Sequence, residues 1–479
     1  MIIMKFGGSS LQDETAIERV AQIVREHSCE QPVVVASALA GVTDSLIEMS
    51  QLAANGRIED ALEGLSVLRR RHQNVLHAFE RNESATSDAM HSLFESLEEM
   101  LRSIQAQCSF SPRAADRILG AGELLSSRIV AAAFQARGVR ASWLDSRDCI
   151  ITDANHTNAV PDCDETYKRL QALLPPLLVA GHVPVMGGFI GATADAVPTT
   201  LGRGGSDLSA SLVGAALNAK RIEIWTDVEG IMTADPRMCA EAEPIDIISF
   251  EEAAELAYFG AKVLHPATLI PAIRKNISVY VLNSRNPNGN GTCVCGDAPR
   301  SRTTFRAITA KRGMMVVSVR SPRMLGANGF LRGVFEALER HGSAADLVST
   351  SEVSVSIALQ PTRDLEALLR DLRKLGEVDV EDHKAIICLV GKDILGCVGI
   401  AASVFETVAA AGINVHMISQ GASEINVGFV IEDDDVREAV RELHRVFFEA
   451  ESATQSDRTP LVSVARPHWC VDMVQAEAH

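Results

Sequence analysis

The sequence predicts an α/β domain, in which helices sandwich a mostly parallel sheet, followed by two ferredoxin-like α+β units. Over residues 1–298, short apolar runs typical of strands alternate with longer stretches of helical period, an order that favours a parallel sheet. From residue 313 onward, the order strand, helix, strand, strand occurs twice, each time followed by a helix and within about 70 residues. Small repeated units of this kind are more often regulatory than catalytic.

Composition limits the class of protein. The chain has 479 residues and a net charge of −17, with 47% hydrophobic residues. A chain of this length needs more than one core, and its negative charge disfavours nucleic acid and anionic membranes as partners. No apolar run approaches the ~20 residues of a membrane span, and no secretory signal precedes the first predicted strand. The ten cysteines form neither a zinc pattern nor a disulfide framework, so we expect a cytoplasmic protein that acts on small molecules.

The first predicted strand, residues 2–6, is followed at once by a glycine loop. Residues 7–10 read Gly-Gly-Ser-Ser, and a helical pattern comes next. The loop lacks the GK[ST] ending of a P-loop and the GxGxxG spacing of a dinucleotide fold. Lys5 lies inside the strand, where a lysine costs desolvation free energy unless an anion meets it. We therefore expect Lys5 to contact phosphate, with a lysine on an edge strand as the alternative.

Hydroxyl groups follow the second predicted strand, residues 33–37. Ser37 ends this strand, and Thr43 lies in the turn that leads into the next helix. Because open parallel sheets bind ligands at the carboxyl ends of their strands, we expect both hydroxyls near the ligand. Residues 55–110 are charged and favour helix, and we interpret them as an inserted helical hairpin, mostly solvated and structural in role.

Glu123 lies early in a predicted helix over residues 118–137, between small and apolar neighbours. An exposed salt bridge is the simplest interpretation of a glutamate on a helix, but these neighbours favour partial burial. A buried carboxylate needs a cationic partner, and an ammonium group would serve.

Residues 202–207 read Gly-Arg-Gly-Gly-Ser-Asp and lie where a helical pattern begins. Free N–H groups at a helix start bind phosphate or carboxylate, and the Arg203 guanidinium can bind a carboxylate through two parallel hydrogen bonds. Asp207 would repel such an anion, so we expect it to orient a cation or a lysine. The alternative is a glycine-rich turn with a capping serine.

A further strand over residues 221–225 ends in Thr226 and Asp227, and a polar, turn-rich loop follows as far as Arg237. A strand end followed by a long polar loop suits a nucleotide. Beyond it, residues 286–291 are rich in asparagine and glycine and give the strongest linker signal in the chain. We place the main domain boundary just after them, near residue 299.

Four motifs, taken together and in this order, resemble those of the aspartokinases of the amino-acid kinase superfamily. They occupy residues 5–10, 202–207, 225–227 and 259–266. The two small repeats resemble the paired ACT domains that these enzymes carry. The resemblance implies a catalytic domain over residues 1–298 and tandem ACT domains over residues 299–450. The ACT units would span about residues 313–383 and 384–450, the second with an extra strand from residues 304–312, and a tail of residues 451–479 would follow.

The resemblance also implies roles for individual residues. Lys5 and Asp207 correspond to the catalytic pair of the family. The residues similar to its amino-acid site are Ser37, Thr43, Glu123, Phe189, Arg203, Gly204, Gly205 and Ser206. Those similar to its ATP site are Lys5, Phe6, Gly7, Gly8, Ser9, Thr226, Asp227, Met232, Arg237, Lys262 and Val263. The chain departs from many relatives at Met232, where they have tyrosine, and methionine packs on adenine less specifically than an aromatic ring.

The activity implied by the resemblance is transfer of the γ-phosphoryl group of MgATP to the β-carboxylate of L-aspartate. This reaction gives 4-phospho-L-aspartate, the first step towards lysine, threonine and methionine. ATP and Mg²⁺ are then required, with Mg²⁺ bound through the ATP phosphates rather than by protein ligands. Two alternatives remain open: another amino-acid kinase of the same fold, such as one acting on glutamate, and a catalytically weak amino-acid sensor. ACT units commonly pair their sheets, so we expect a homodimer or a tetramer.

The first ACT unit resembles the lysine-binding segments of lysine-inhibited aspartokinases. The matching residues are Met324, Ala327, Gly329, Phe330, Leu331, Ala344, Ala345, Asp346, Thr350, Ser351 and Glu352. Asp346 and Glu352 would bind the two ammonium groups of lysine, and loop N–H groups near Gly329 would bind its carboxylate. The alternative is that both acids are solvated residues at strand ends. We expect lysine to be the effector and an inhibitor.

Overall fold

The computed structural model describes residues 1–80, 85–260, 266–299, 303–324, 329–362, 364–394, 397–420 and 425–449. Four parts of the predicted organisation lie outside these ranges: Lys262 and Val263 of the predicted ATP site, Ala327 of the predicted effector site, and the tail of residues 451–479.

Seventeen strands are present in the described ranges. In chain order they are β1 (Ile2–Phe6), β2 (Pro32–Ala36), β3 (Ala141–Leu144), β4 (Ile151–Thr152), β5 (Val183–Gly187), β6 (Ile190–Thr193), β7 (Pro198–Thr200), β8 (Arg221–Thr226), β9 (Ile247–Ser249), β10 (Ser278–Asn283), β11 (Thr292–Cys295), β12 (Ala307–Arg320), β13 (Ala345–Thr350), β14 (Ser354–Leu359), β15 (Glu377–Val390), β16 (Met417–Ser419) and β17 (Asn426–Glu432).

Thirteen α-helices accompany them in the same ranges. They are α1 (Glu14–Glu26), α2 (Val42–Ala54), α3 (Ile58–His77), α4 (Ala85–Gln107), α5 (Pro112–Ala136), α6 (Cys163–Val179), α7 (Gly205–Leu217), α8 (Phe250–Tyr258), α9 (Ile270–Arg274), α10 (Phe330–Arg340), α11 (Leu365–Leu372), α12 (Ile400–Ala410) and α13 (Val436–His444). Among the described residues, no helix is both long enough and apolar enough to cross a bilayer.

The first sheet has eight strands in the order β3-β5-β2-β1-β8-β10-β11-β9. Every neighbouring pair runs parallel except β10 and β11. Because β1 lies between β2 and β8, Lys5 is on an interior strand, which excludes the edge-strand alternative. The predicted parallel sheet is therefore confirmed.

Helices cover both faces of this sheet, as β1 illustrates. Ile2, Met4 and Phe6 pack into a core shared with α1 and α5, whereas Ile3 packs on the other face with α6 and α7. Successive strand residues point to opposite faces, so Lys5 lies on the same face as Ile3. This alternation directs the Lys5 side chain towards the layer that contains α7.

The inserted helices α3 and α4 are more than a solvated hairpin. Their buried residues join the same core as α2 and α5, among them Leu65, Leu68, Phe94 and Leu97. Burial of side chains of this size contributes roughly 1.5–3 kcal/mol each. The insertion is therefore an integral part of one helical layer of the first domain.

A second, smaller sheet of β4, β6 and β7 was not predicted from the sequence. Its strands have only two to four residues each, which leaves almost no periodicity to detect. It leads directly into the loop that contains Gly202.

Residues 286–291 form the turn between β10 and β11, which pair antiparallel. The stretch that the sequence marks as a linker is thus a hairpin loop within the first sheet. The same Asn- and Gly-rich composition serves both kinds of connection. The domain boundary near residue 299 remains a prediction.

The remaining strands form one antiparallel sheet in the order β13-β14-β12-β15-β17-β16. The two central strands, β12 and β15, have fourteen residues each and join both repeats. The first part of β12 pairs with the last part of β15, as in the Ala307 and Val390 pair, and the register shifts after Lys311. Two ferredoxin-like units are confirmed as a fold, and they share a continuous sheet.

Candidate active site

Lys5 and Asp207 form the centre of the site. The Lys5 Nζ lies 2.6 Å from the Asp207 Oδ1, and each side chain is only 12% exposed. Lys5 comes from β1, and Asp207 from the first turn of α7. The sequence predicted that Asp207 would orient a lysine, and the structure places these two side chains in contact.

The carboxyl ends of four parallel strands surround this pair. Strand β1 ends at Phe6 and is followed by Gly7. Ser37 follows β2, Gly188 follows β5, and β8 ends at Thr226. Hydrogen bonds tie the ends together: the Gly7 N–H donates to the Trp225 carbonyl at 3.0 Å, and the Ser37 N–H to the Phe6 carbonyl at 3.0 Å. Ser9 is half-buried in the turn after Gly8. These loops therefore form one continuous edge.

Residues 202–206 lead into α7 and form its first turn, and we call them the glycine cradle. Gly202 and Gly204 have φ angles of +73° and +70°, a conformation that side chains rarely adopt. Gly204 is the N-cap, Gly205 begins the helix, and Ser206 follows half-buried. Arg203 is exposed and has no hydrogen-bond or ion-pair partner among the described residues. Its guanidinium is thus available to an anionic ligand.

Phe189 connects the cradle to the end of β5. Its N–H donates to the Ser209 Oγ of α7 at 3.0 Å, and its carbonyl accepts from the Leu201 N–H at 2.9 Å. This residue therefore fixes where α7 begins relative to the sheet.

Glu123 is almost fully buried, at 4% exposure. Its Oε1 accepts from the Ala38 N–H at 3.2 Å, and its Oε2 has no partner among the described residues. Burial raises the pKa of this carboxyl to about 8, against a smaller opposing effect of the Ala38 hydrogen bond. One turn later on α5, the Ser126 Oγ donates to the Ser37 carbonyl at 2.7 Å. Glu123 thus lies beside the Ser37 loop with one buried oxygen unpaired.

Thr43 is the second residue of α2, whose N-cap is Gly41, and it is half-buried. The structure therefore brings the predicted amino-acid residues and the glycine loop to one edge of the sheet.

The predicted nucleotide residues follow β8. The Thr226 Oγ1 donates to the Asp227 Oδ1 at 3.2 Å, and Asp227 is exposed. Met232 is half-buried, and Arg237 is exposed and paired with Asp235 through Nη2 and Oδ2 at 2.6 Å. Arg237 therefore has a partner before any nucleotide is considered.

The loop that carries Met232 and Arg237 contacts the unit that contains the six-stranded antiparallel sheet. The Thr233 carbonyl accepts from the Ile308 N–H at 2.7 Å, and the Thr233 Oγ1 lies 3.0 Å from the His444 Nε2. The Arg437 Nη2 donates to the Arg237 carbonyl at 2.9 Å. The loop after β8 is thus in direct contact with β12 and α13.

The predicted effector residues lie around β13. Asp346 is the second residue of this strand, and Glu352 is exposed beyond its last residue, Thr350. At about 3.3 Å per residue, roughly 13 Å of strand separates Asp346 from Thr350 alone. The prediction that Asp346 and Glu352 bind the two ammonium groups of one lysine stays a prediction.

The other predicted effector residues are distributed over two segments. Met324 ends a short 3₁₀ turn, Gly329 is the N-cap of α10, and Phe330 and Leu331 begin that helix. Ala344 and Ser351 are exposed on either side of β13, and Ala345 is its first residue. Asp346 is already paired, since the Lys311 Nζ lies 2.5 Å from its Oδ1.

A buried acid that sequence reasoning missed supports the cradle. Asp116 of α5 accepts through Oδ1 from the Thr157 N–H at 2.9 Å and the Thr200 hydroxyl at 2.6 Å, and its Oδ2 lies 2.5 Å from the His156 Nδ1. The loop at His156 and Thr157 packs against Gly202. No motif marks Asp116, because its partners are distant in sequence.

Comparison with known proteins agrees with this geometry. The amino acid kinase family model matches residues 1–283, and an ACT domain model matches residues 387–447. The chain is 37% identical over 468 residues to lysine-sensitive aspartokinase 3 of Escherichia coli, covering 94% of this chain and 99% of that protein. It is 35% identical over 477 residues to the chloroplastic aspartokinase 3 of Arabidopsis thaliana, covering 97% of this chain and 84% of that protein.

Solved structures give the same result. E. coli aspartokinase III in complex with aspartate and ADP, in the R-state, matches with a TM-score of 0.82 and 36% identity, covering 93% of this chain and 99% of that chain. The same enzyme with lysine and aspartate, in the T-state, matches with a TM-score of 0.79 and 36% identity, covering 94% and 99%. The fold and the site define an amino acid kinase with ACT domains. Within that class, the chain belongs to the aspartokinases and is an aspartate kinase.

Proposed function

We propose that this aspartate kinase transfers the γ-phosphoryl group of MgATP to the β-carboxylate of L-aspartate through the Lys5 and Asp207 pair. The observation that carries the proposal is the ion pair between these residues, set among the glycine loop, the Ser37 loop and the α7 cradle. An ammonium held at the end of a central strand suits charge that is spread over a transferring phosphoryl group.

The reaction needs no general base. The β-carboxylate of aspartate is ionised at neutral pH and attacks the γ-phosphorus directly. The obstacle is repulsion between this anion and the phosphates. Lys5 and the N–H group of Gly8 would reduce it, whereas the Gly7 N–H already donates to the Trp225 carbonyl. Asp207 would hold the Lys5 ammonium in position without removing its charge.

Two groups would recognise the α-substituents of the substrate. Arg203 would bind the α-carboxylate, since its guanidinium is exposed at the start of α7. Glu123 would bind the α-ammonium through its unpaired Oε2, because a buried carboxylate gains most from a cation. Together they favour an α-amino acid as the substrate.

The residues present fit Mg²⁺ carried on ATP rather than a protein-bound ion. The carboxylate at the centre of the site, Asp207, is already paired with Lys5. Mg²⁺ bound to the phosphates would neutralise part of their charge. Thr226, Asp227 and Met232 would then contact the nucleotide, and Arg237 would do so after leaving Asp235.

We further propose that lysine inhibits the enzyme through the first ACT unit. The E. coli relative is named lysine-sensitive, and its T-state complex contains lysine. Asp346 would bind one ammonium group of the effector. Glu352 would bind the other, and the sheet pairing common among ACT units supports a homodimer or a dimer of dimers. A cytoplasmic location stays a prediction, and none of the nine described cysteines forms a disulfide.

The test is trapping of the acyl phosphate with hydroxylamine, using ATP, Mg²⁺ and either L-aspartate or L-glutamate. We expect the hydroxamate with aspartate and little with glutamate. Turnover of glutamate alone would favour another amino-acid kinase of this fold, and no turnover with either would favour a sensor.

A further inference from the structure

Arg71 on the inserted helix α3 reaches two loops of the active site at once. Its Nη1 donates to the Ala40 carbonyl at 2.8 Å, and its Nη2 donates to the Gln12 carbonyl at 2.9 Å. Ala40 belongs to the loop between β2 and α2, and Gln12 immediately follows the turn that begins at Gly8. One half-buried guanidinium therefore joins the glycine loop to the loop that carries Ser37.

The backbones of these two loops are also in close contact. A Cβ placed on Gly8 would lie 2.9 Å from the Ala38 carbonyl oxygen and 3.4 Å from the backbone N and Cα of Ala40. Glycine at this position permits the close approach. The separation of the loops therefore depends on contacts that hold both backbones, and Arg71 makes such a contact with each.

We infer that Arg71 is a positioning residue for phosphoryl transfer. The inference rests on the proposed function, in which the glycine loop binds the phosphates and the Ser37 and Thr43 segment binds aspartate. Through its two hydrogen bonds, Arg71 sets the distance between donor and acceptor. It makes this contribution from the insertion, whose buried face otherwise serves only the core.

The geometry explains why an arginine is required. The planar guanidinium offers several N–H donors in a fixed fork, so it can hold two carbonyls in a defined relative position. A lysine ammonium is a compact group on a flexible stem and fixes no such geometry. A misplacement of about 1 Å between reacting groups can cost on the order of a hundredfold in rate.

The experiment compares Arg71→Ala and Arg71→Lys with Arg70→Ala in the full-length enzyme. Arg70 is the adjacent residue on α3 and is exposed, so it is a matched control. We expect Arg71→Ala to lower kcat about tenfold to a hundredfold and to leave the KM values for ATP and aspartate within about threefold. Arg71→Lys should recover only part of kcat, and Arg70→Ala should match the wild type.

Chemical rescue by added guanidinium distinguishes a positioning role from a purely structural one. At concentrations that leave the wild-type rate and melting temperature unchanged, it should restore part of kcat in Arg71→Ala and none in Arg71→Lys. A kcat of Arg71→Ala within about twofold of the wild type would overturn the inference. So would a loss of activity that parallels a loss of folded protein and is not rescued.

The same assay separates this inference from the proposed substrate. If the wild type turned over glutamate rather than aspartate, the proposed function would fail, but the variants would still be compared on glutamate. A wild type that transfers no phosphoryl group would overturn both.

Discussion

Lys311 of β12 and Asp346 of β13 form an ion pair across the six-stranded antiparallel sheet, with the Lys311 Nζ 2.5 Å from the Asp346 Oδ1 and the Asp346 side chain only 5% exposed. The same ammonium lies 5.3 Å from the centre of the Tyr258 ring, at the end of α8 in the first domain. Lys311 therefore pairs with the carboxylate that we assign to the effector, and its contact with Tyr258 connects that carboxylate to the first domain. An effector ammonium must displace Lys311 from this position.

Lys311→Met should make the enzyme more sensitive to lysine. It leaves Asp346 buried without a cation, and an incoming ammonium then restores the pair without competition. We expect the lysine concentration for half-maximal inhibition to fall about tenfold, a change that corresponds to one charge-assisted hydrogen bond. The measurement is steady-state activity against lysine concentration.

Lys374→Met is the control for Lys311→Met, because Lys374 is exposed and pairs with Asp371 at the surface of the same unit. An unchanged lysine response in Lys311→Met would show that Asp346 is not part of the effector site.

Glu352→Ala should weaken inhibition by lysine and leave activity without lysine unchanged. Glu352 is exposed and lies beyond β13, away from the catalytic edge. The loss of one ammonium contact should raise the half-inhibitory concentration about tenfold or more. Activity is compared with lysine, threonine and methionine, alone and in pairs. If the variant were inhibited by lysine as strongly as its parent, the assignment of Glu352 would fail.

Glu123 should make aspartate binding pH-dependent. Its pKa is raised to about 8 by burial, so below that pH the carboxyl is protonated and cannot pair with the α-ammonium. The KM for aspartate should therefore fall as pH rises from 6 to 8, by up to about tenfold per unit, and then level off. Glu123→Gln should raise this KM and remove the dependence. A KM that is flat over this range in the wild type would contradict the assignment.

We also expect the Glu123 carboxyl to make the free energy of unfolding depend on pH. Because its folded-state pKa lies above the ordinary value of a glutamate, 4.5, the folded chain keeps a proton that the unfolded chain releases. This contribution lowers the free energy of unfolding as pH rises from about 4.5 to about 8. Glu123→Gln should remove that decrease, which melting temperatures of both proteins at pH 6 and pH 8 would measure.

Arg203→Ala should act on aspartate and not on ATP. The guanidinium is exposed at the start of α7, and its loss removes two parallel hydrogen bonds to the α-carboxylate. We expect the KM for aspartate to rise by about a hundredfold, with the KM for ATP within about twofold. A change confined to the KM for ATP would place the cradle on the nucleotide instead.

Local pattern was sufficient to predict much of the fold. Strands such as β1 and helices such as α1 follow directly from periods of 2 and 3.6 residues, and the Ser249 and Glu252 spacing is typical of the capping box that begins α8. The helix around Glu123 begins earlier than predicted, at Pro112, because Ser111 caps it. The contact between Lys5 and Asp207 was expected from the resemblance to the aspartokinases, in which these two residues correspond to the catalytic pair.

Other features depend on contacts that no local pattern records. The pairing of Lys311 with Asp346 and the carbonyls bound by Arg71 join residues that are far apart in sequence. Residues 286–291 show a different limit, because an Asn- and Gly-rich stretch suits a hairpin turn as well as a linker. In each case the tertiary arrangement decides the outcome.

The effect of Lys5→Ala on kcat, measured at saturating aspartate and MgATP, tests the central claim most directly. Lys5→Ala is compared with Lys275→Ala, an exposed lysine distant in sequence from the glycine loop. Because Lys5 acts on charge that develops during transfer, we predict at least an approximately hundredfold lower kcat with aspartate binding retained. A kcat within about tenfold of the wild type, or a loss that appears only in the KM for aspartate, would contradict the account.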